Sequence, residues 1–355
     1  MDDLACELQR RGHTVDLLTR QWEGMSRSEE RHGYMIYRLD YPLLFEKFVW
    51  SRRLFLESIP ILIRIWHLLR DRRIDTVCIG LLDMSAWYLI LLRPLLRFRL
   101  VLYLHGGEAR WLSDEEPSYR TLFKASLRMS DAIIAVSEDL KLEAAKAMRG
   151  VEAKTTRISN AIDLQQLRQV TGLIYPRRYI AAVGRLVREK DFPTLIRAYG
   201  LIQEQVPDVD LLIAGGGREL ANLQLVVQEC PRPDGVQFLG QVKREDAIAT
   251  MKNAMFLVLS SITEGLPIVA IEALALGKPV IGTSIPGIRE VVRDGHDGDL
   301  FPVGDVKALA GLLRRYCEDA NLISQRAAAA QLANLDRYDM SKVITRHLEV
   351  YRGAR

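Results

Sequence analysis

Met255-Phe256-Leu257-Val258-Leu259-Ser260-Ser261-Ile262-Thr263-Glu264-Gly265-Leu266-Pro267-Ile268-Val269-Ala270-Ile271-Glu272-Ala273-Leu274 changes period at its centre. An apolar run of strand length ends at Ser260, and a short polar turn follows. From Pro267 the apolar residues continue as a helix until Gly277 and Pro279 stop it. Pro267 is expected as the first helical residue, because its ring presets φ. A strand, a turn and a helix in this order form the repeating unit of a parallel α/β sheet. The unit aims backbone N–H groups and the positive end of the helix dipole at the strand's C-terminal edge, where an anion binds. Glu264 lies in the turn and Glu272 beyond the first helical turn. Two carboxylates so placed accept hydroxyls from different parts of one ligand, with a sugar near Glu264 and a ribose near Glu272. A capped helix bearing one surface glutamate fits the same residues.

Upstream, Val183-Gly184-Arg185-Leu186-Val187-Arg188-Glu189-Lys190-Asp191 ends another strand in glycine and sets Arg185 and Lys190 in the following loop. Two cations at a strand's C-terminal edge suit a diphosphate, the arginine by forked hydrogen bonds and the lysine as a point charge. An ordinary charged loop is the competing reading. Ala214-Gly215-Gly216-Gly217-Arg218 also joins a strand to a helix, and Gly216 permits close approach of a ligand. A tight turn without a ligand is equally compatible, since the dinucleotide spacing is absent. Leu104-His105-Gly106-Gly107-Glu108 ends an apolar strand in the first half and places His105 to meet a hydroxyl or phosphate. A histidine that satisfies a loop backbone is the alternative. Loop residues Gly240, Val242 and Lys243 are the candidates for the contact with a nucleotide base.

Further outward, strands are expected at 33–39, 74–80, 99–105, 132–137 and 155–159, with helices at 45–72, 85–97, 117–129 and 138–148. A second alternation has strands at 179–184, 209–214, 236–239, 255–260 and 279–283. A helical tail covers 305–352, broken near Arg337–Met340. Alternation of this kind predicts α/β structure with parallel sheets, in two Rossmann-like domains facing each other. The expected division is 1–170, a linker at 171–178, a second domain at 179–335 and a terminal helix at 336–355. The opening helix, with Leu4, Ala5 and Leu8 on one face and Gly12 at its end, is normally preceded by a strand and a glycine-rich turn. The first domain thus reads as lacking its first strand, and upstream residues are expected to complete it.

Composition narrows the classes. Hydrophobic content of 48% and charged content of 26% belong to a globular protein rather than a disordered or fibrous one. A net charge of +4, with no clean basic tract, gives no reason to expect nucleic acid. Cys6, Cys78, Cys230 and Cys317 are too far apart for a zinc ribbon, no second ligand stands near His105, and no metal is expected. No apolar h-region follows Met1-Asp2-Asp3, and no segment reaches ~18 uncharged apolar residues, so a cytoplasmic location is expected. Residues 45–73 mix Phe48, Trp50, Phe55 and Trp66 with Lys47, Arg52, Arg53, Arg64, Arg70, Arg72 and Arg73. Such a helix suits the surface of an anionic membrane, or else covers a core with a kink at Pro60.

Taken together, Gly184-Arg185-Leu186 with Lys190, and Glu264-Gly265-Leu266-Pro267 with Glu272 and Gly277-Lys278-Pro279-Val280, resemble glycosyltransferase family 4, the glycosyl transferases group 1. Gly287, Glu290, Asp294-Gly295 and Gly298 continue the pattern. Weaker likeness covers Arg11-Gly12-His13, His105, Ser137-Glu138 and Asn160-Ala161-Ile162-Asp163, where Ala161 replaces a usual glycine. The resemblance implies a GT-B fold and a retaining, metal-independent transferase with no cofactor beyond its nucleotide-diphosphate sugar. It implies Arg185 and Lys190 on the donor diphosphate and Glu272 on the ribose. It further implies Glu264, Gly265, Leu266 and Pro267 at the donor sugar or phosphate, and His105 at that sugar from the other domain. The last helix is implied to return to the first domain, and the acceptor is a glycan, a lipid or a lipid-linked saccharide. The competing classes are a non-catalytic, nucleotide-sugar-binding partner subunit and a GT-B-like epimerase or phosphorylase.

Overall fold

The computed structural model describes residues 2–40, 52–83, 85–106, 117–333 and 335–353. The chain forms two compact units, Met1–Ser159 with Met340–Arg355, and Asn160–Asp339. The first therefore ends ahead of the expected linker at 171–178. Residues 160–178 are tied to the second unit: the Ile162 amide donates to Tyr338 O at 2.8 Å, and Leu173 to Ala249 O at 2.9 Å.

In the first unit, helix α1 (Asp2–Arg10) leads into strand β1 (Asp16–Arg20), followed by β2 (Ser28–Arg31) and β3 (Tyr34–Leu39). Helix α2 (Arg52–Asp71), β4 (Thr76–Ile79), α3 (Ala86–Leu92), β5 (Arg99–Leu104), α4 (Pro117–Met129), β6 (Ala132–Ala135), α5 (Glu138–Ala147) and β7 (Thr155–Arg157) continue the alternation. The first part of the expected helix at 45–72, residues 45–51, lies outside the described residues, as do Gly107 and Glu108. Helix α3 stops at Leu92 rather than 97, because Pro94 has no N–H with which to continue it. One sheet has the order β1-β3-β2 and the other β4-β5-β6-β7. Pairing is parallel except for β2 on β3. Among the described residues β1 and β4 each pair on one side only. Arg72 bridges the two regions, with Nε and Nη2 each donating at 2.9 Å to the carboxylate of Asp16.

In the second unit, α6 (Leu164–Gln169) precedes β8 (Arg178–Val183), α7 (Phe192–Gly200), β9 (Val209–Ala214), α8 (Leu220–Val227), β10 (Val236–Gly240) and α9 (Arg244–Asn253). Then come β11 (Leu257–Leu259), α10 (Ile268–Ala275), β12 (Val280–Thr283), α11 (Pro286–Arg289), β13 (Gly298–Phe301), α12 (Val306–Glu318) and α13 (Ala320–Gln331). The sheet is wholly parallel, in the order β10-β9-β8-β11-β12-β13. Its strands are apolar on both faces because helices cover both. Ile180, Leu211, Ile213, Val258 and Ile281 are buried against Leu195, Leu309, Leu313 and Tyr316. Each such side chain contributes about 1.5–3 kcal/mol by leaving water.

Within this unit the chain runs outward through β8, β9 and β10, then returns to the other side of β8 with β11. The first and fourth strands of the unit are therefore neighbours, and their loops leave in opposite directions. That junction is the topological switch point, where open parallel sheets leave a crevice at the carboxyl ends of the strands.

The helical tail is not continuous. Asp319 interrupts it by accepting from the Leu322 amide at 2.9 Å, which caps α13. A final helix, α14 (Met340–Arg352), belongs to the first unit, where Ile344 and Leu348 pack on Leu8 of α1.

Candidate functional site

The switch point brings together the loops after β8 and β11. After Val183 the chain turns at Gly184, whose amide donates to Ala214 O at 3.0 Å. Gly215, at φ +148°, lies so close that a Cβ there would stand 1.9 Å from Gly184 O. Only glycine permits this approach of two loops. The Leu186 amide then donates to Gly216 O at 2.9 Å, which ties the glycine run to the cationic loop.

A single 3₁₀ turn, Arg188–Lys190, ends at Asp191 in the left-handed region, at φ 44° and ψ 46°. The next loop is pinned to it. Ser260 Oγ donates to Lys190 O and the Ile262 amide to Glu189 O, each at 2.8 Å. As a result Lys190 Nζ meets Glu264 Oε1 in an ion pair with both side chains largely buried. Ser261 Oγ donates to the same oxygen at 2.7 Å. The sequence placed Lys190 and Glu264 at one sheet edge; the structure adds that they are bonded to each other. Arg185 is exposed and makes no ion pair among the described residues, so its guanidinium is available to a ligand.

Gly265, Leu266 and Pro267 are buried beneath this pair. Asn160 Nδ2 donates to Leu266 O at 2.8 Å and fixes the turn. Pro267 stands one residue earlier than expected, at the N-cap with ψ 110°, and the helix begins at Ile268. Its ring still fixes φ there, at −72°.

Glu272 is 5% exposed, in the body of α10. Arg244 Nη2 donates to its Oε1 at 2.9 Å. Arg244 is the first residue of α9, next to Lys243 at the N-cap. Its role was not legible in the sequence, since nothing in the local pattern links residues 28 positions apart. Gly240 ends β10 at φ 70°, and its carbonyl accepts from the Gly215 amide at 2.8 Å, so the loop of Gly240, Val242 and Lys243 adjoins the glycine run.

His105 lies in the first unit, directly after β5. Its ring stacks on Tyr103 with centroids 5.7 Å apart, and His347 of α14 also stacks on Tyr103, at 5.7 Å. His347 Nδ1 contacts Val343 O at 2.9 Å. Burial pushes the His347 pKa down to about 4, so this ring is neutral at pH 7.

The arrangement offers a basic group and two fixed carboxylates at a switch point, beside the N-terminus of α10. That is suited to an anionic ligand bearing hydroxyls. Comparisons with known proteins agree. The profile for glycosyl transferases group 1 matches residues 164–333. The profile for glycosyltransferase family 4 matches residues 1–166. The chain is 26% identical to the N-acetyl-alpha-D-glucosaminyl L-malate synthase of Bacillus anthracis, over 72% of this chain and 68% of that protein. It is 27% identical to the GDP-mannose-dependent alpha-(1-6)-phosphatidylinositol monomannoside mannosyltransferase of Mycolicibacterium smegmatis, over 97% and 92%. It is 32% identical to the phosphatidyl-myo-inositol mannosyltransferase of Mycobacterium leprae, but spans only 55% of that protein. In fold it is similar to the sucrose-phosphate synthase of Thermosynechococcus elongatus, with TM-score 0.79, 23% identity and coverage of 98% and 91%. It is likewise similar to Anabaena HepE, solved with UDP and glucose, with TM-score 0.78, 18% identity and coverage of 99% and 94%. The two profiles run on from one another over residues 1–333, and the chain belongs to the family 4 glycosyltransferases of GT-B fold, enzymes that transfer a hexose.

Proposed function

We propose that the protein moves a sugar, with retention at the anomeric carbon and without a metal, from a nucleotide-diphosphate sugar to an acceptor hydroxyl. The observation that carries this reading is the cluster of Lys190, Glu264 and Ser261 at the switch point, with Arg185 exposed beside it. Arg185 and Lys190 take the diphosphate, and the amides of Gly265, Leu266 and Ile268 lie at the positive end of α10. Glu264 accepts a hydroxyl of the transferred sugar and Glu272 the ribose. His105 is assigned to the sugar on the family resemblance alone. Gly216 and the loop of Gly240, Val242 and Lys243 belong to the nucleotide. No cofactor beyond the donor is needed in this reading.

As the bond between the anomeric carbon and the phosphate oxygen breaks, negative charge grows on the β-phosphate. Preorganised cations stabilise it by roughly 3 kcal/mol per strong contact. The acceptor oxygen bonds to the same face of that carbon, and its proton passes to the departing phosphate, giving a glycoside and a nucleoside diphosphate. Proton NMR of the product formed in EDTA tests the reading. An α-linked donor is expected to give an α-linked product at an undiminished rate; inversion, or loss of turnover in the chelator, opposes it.

In this reading the acceptor is a glycan, a lipid or a lipid-linked saccharide, and the protein works in the cytoplasm, at the membrane face. None of the described helices is long and apolar enough to cross a membrane. On α2, Ile59 and Ile63 are exposed beside Arg64 and Arg70. This face suits an anionic surface, and residues 45–51 of the expected segment lie outside the described residues. Co-sedimentation with anionic vesicles at low salt is the expected outcome, and its failure removes the membrane contact. Nothing observed favours a non-catalytic subunit.

A further inference from the structure

A carboxylate as buried as Glu272 carries a cost of several kcal/mol unless a cation and further hydrogen bonds compensate it. A cation reaches it from a different element. Arg244 opens α9, and its guanidinium crosses to α10, where Nη2 donates to Oε1 at 2.9 Å. The Arg244 side chain is 37% exposed while that of Glu272 is 6% exposed, so the arginine stands on the open side of the carboxylate. The start of α9 is itself held in place. Gly240, at the end of β10, accepts from the Gly215 amide at 2.8 Å, and Gly215 packs against the Gly184 turn that begins the cationic loop. Arg244 therefore issues from the loop cluster that rims the donor site.

We propose that Arg244 is a positioning residue, which orients Glu272 toward the donor ribose and so sets the preference for ribonucleotides over deoxyribonucleotides. The proposal rests on the reading of Glu272 as the ribose acceptor. A guanidinium is a rigid planar fork that remains charged, and on one carboxylate oxygen it fixes both the ionised state and the plane of the group. A carboxylate has about four lone-pair positions, so this contact leaves acceptor capacity for vicinal hydroxyls. Two hydroxyls on adjacent carbons need a carboxylate of defined orientation. A carboxylate that rotates among rotamers accepts them one at a time. Arg244 has no contact with the ligand in this account; it acts through Glu272.

Selectivity is the readout, because a merely structural role would weaken all nucleotides alike. UDP, GDP and ADP, with their 2′-deoxy and 3′-deoxy forms, are titrated by calorimetry into the wild type, Arg244→Gln, Arg244→Lys and Glu272→Gln. The wild type is expected to prefer the tightest ribonucleotide over its deoxy forms by ~10-fold or more, as one charge-assisted hydrogen bond requires. Arg244→Gln is expected to reduce that ratio to within about 3-fold. Arg244→Lys, which keeps the charge without the fork, is expected to fall between the two. Circular dichroism confirms the fold of each variant, and Arg244→Lys carries the test if Arg244→Gln does not fold. A wild type that discriminates, with undiminished discrimination in both arginine variants, overturns the role of Arg244 and leaves the ribose reading standing. A wild type that binds a nucleoside diphosphate without discriminating removes the ribose reading, and the proposal with it.

Discussion

Replacing Lys190 by alanine separates the structural from the chemical role of the central ion pair. Lys190 Nζ and Ser261 Oγ both hold Glu264 Oε1, with the two charged side chains 20% and 12% exposed. At a contact distance of ~3 Å and an effective dielectric constant of about 20, the gross attraction is ~5 kcal/mol. Most of this offsets the desolvation of the two groups, so the pair adds little net stability. Removing one partner is a different matter. Among the described residues Glu264 then keeps the Ser261 hydroxyl, and the expected loss of stability in Lys190→Ala is ~2–3 kcal/mol. Glu264→Gln added to it relieves the stranded charge, so the double variant is expected to recover ~1–2 kcal/mol. Turnover behaves otherwise. Lys190→Ala loses a cation at the diphosphate and is expected to fall ~10²-fold or more, and neutralising Glu264 does not restore it. Urea unfolding measures the first effect and release of nucleoside diphosphate the second. Near-wild-type turnover in Lys190→Ala, or a double variant that regains activity along with stability, would show that Lys190 does not act on the diphosphate.

Other expected outcomes follow from single contacts. His347 is held neutral by burial, its pKa pushed down from 6.5 to about 4. Below pH ~6.5 the unfolded chain takes up a proton that the folded one refuses, so this stability is present above that pH and lost as pH falls through about 4. Urea unfolding at pH 7 and pH 4.5 is expected to show ~2–3 kcal/mol more acid sensitivity in the wild type than in His347→Phe. Equal slopes would show that His347 titrates normally. Gly215→Ala places a Cβ against Gly184 O at φ +148°, and a loss of at least ~2 kcal/mol is expected, together with weakened nucleotide binding. Asp210 joins Tyr175 at 2.9 Å, Arg177 at 3.0 Å and Arg232 at 3.1 Å; Asp210→Ala is expected to cost ~3 kcal/mol with donor affinity unchanged in the variant that remains folded.

Much of this architecture was legible because the responsible signals are local. Runs such as Ile180–Val183 and Leu211–Ala214 must be buried on both faces, and each is followed by glycine and a helix, which specifies a parallel sheet whatever its neighbours. The positions of Arg185, Lys190 and Glu264 were legible for the same reason, since each lies in the loop after such a strand, and that of Glu272 from the helical pattern that follows Pro267. Strand β2, Ser28-Glu29-Glu30-Arg31, was not legible. It is polar and pairs only along the edge of β3, so it has no apolar alternation to betray it. Strand β13 is short and interrupted by Asp299, whose charge is absorbed far along the chain by Tyr316 and Arg326. The unit boundary was misplaced because Pro176 and the two arginines beside it look like a linker, whereas Tyr175 and Arg177 both bind Asp210 of β9. Arg244 on Glu272, and the rings of His105 and His347 stacked on Tyr103, depend on contacts that no spacing rule encodes.

In the proposed reaction the switch point of the second unit holds the diphosphate of a sugar nucleotide without a metal. Calorimetric titration of UDP, GDP and ADP in EDTA, into the wild type, Arg185→Ala and Lys190→Ala, tests it most directly. At least one nucleotide is expected to bind the wild type in the chelator, and each substitution to weaken it ~10-fold or more. Binding that appears only when a divalent metal is supplied, or that is indifferent to both substitutions, would contradict it.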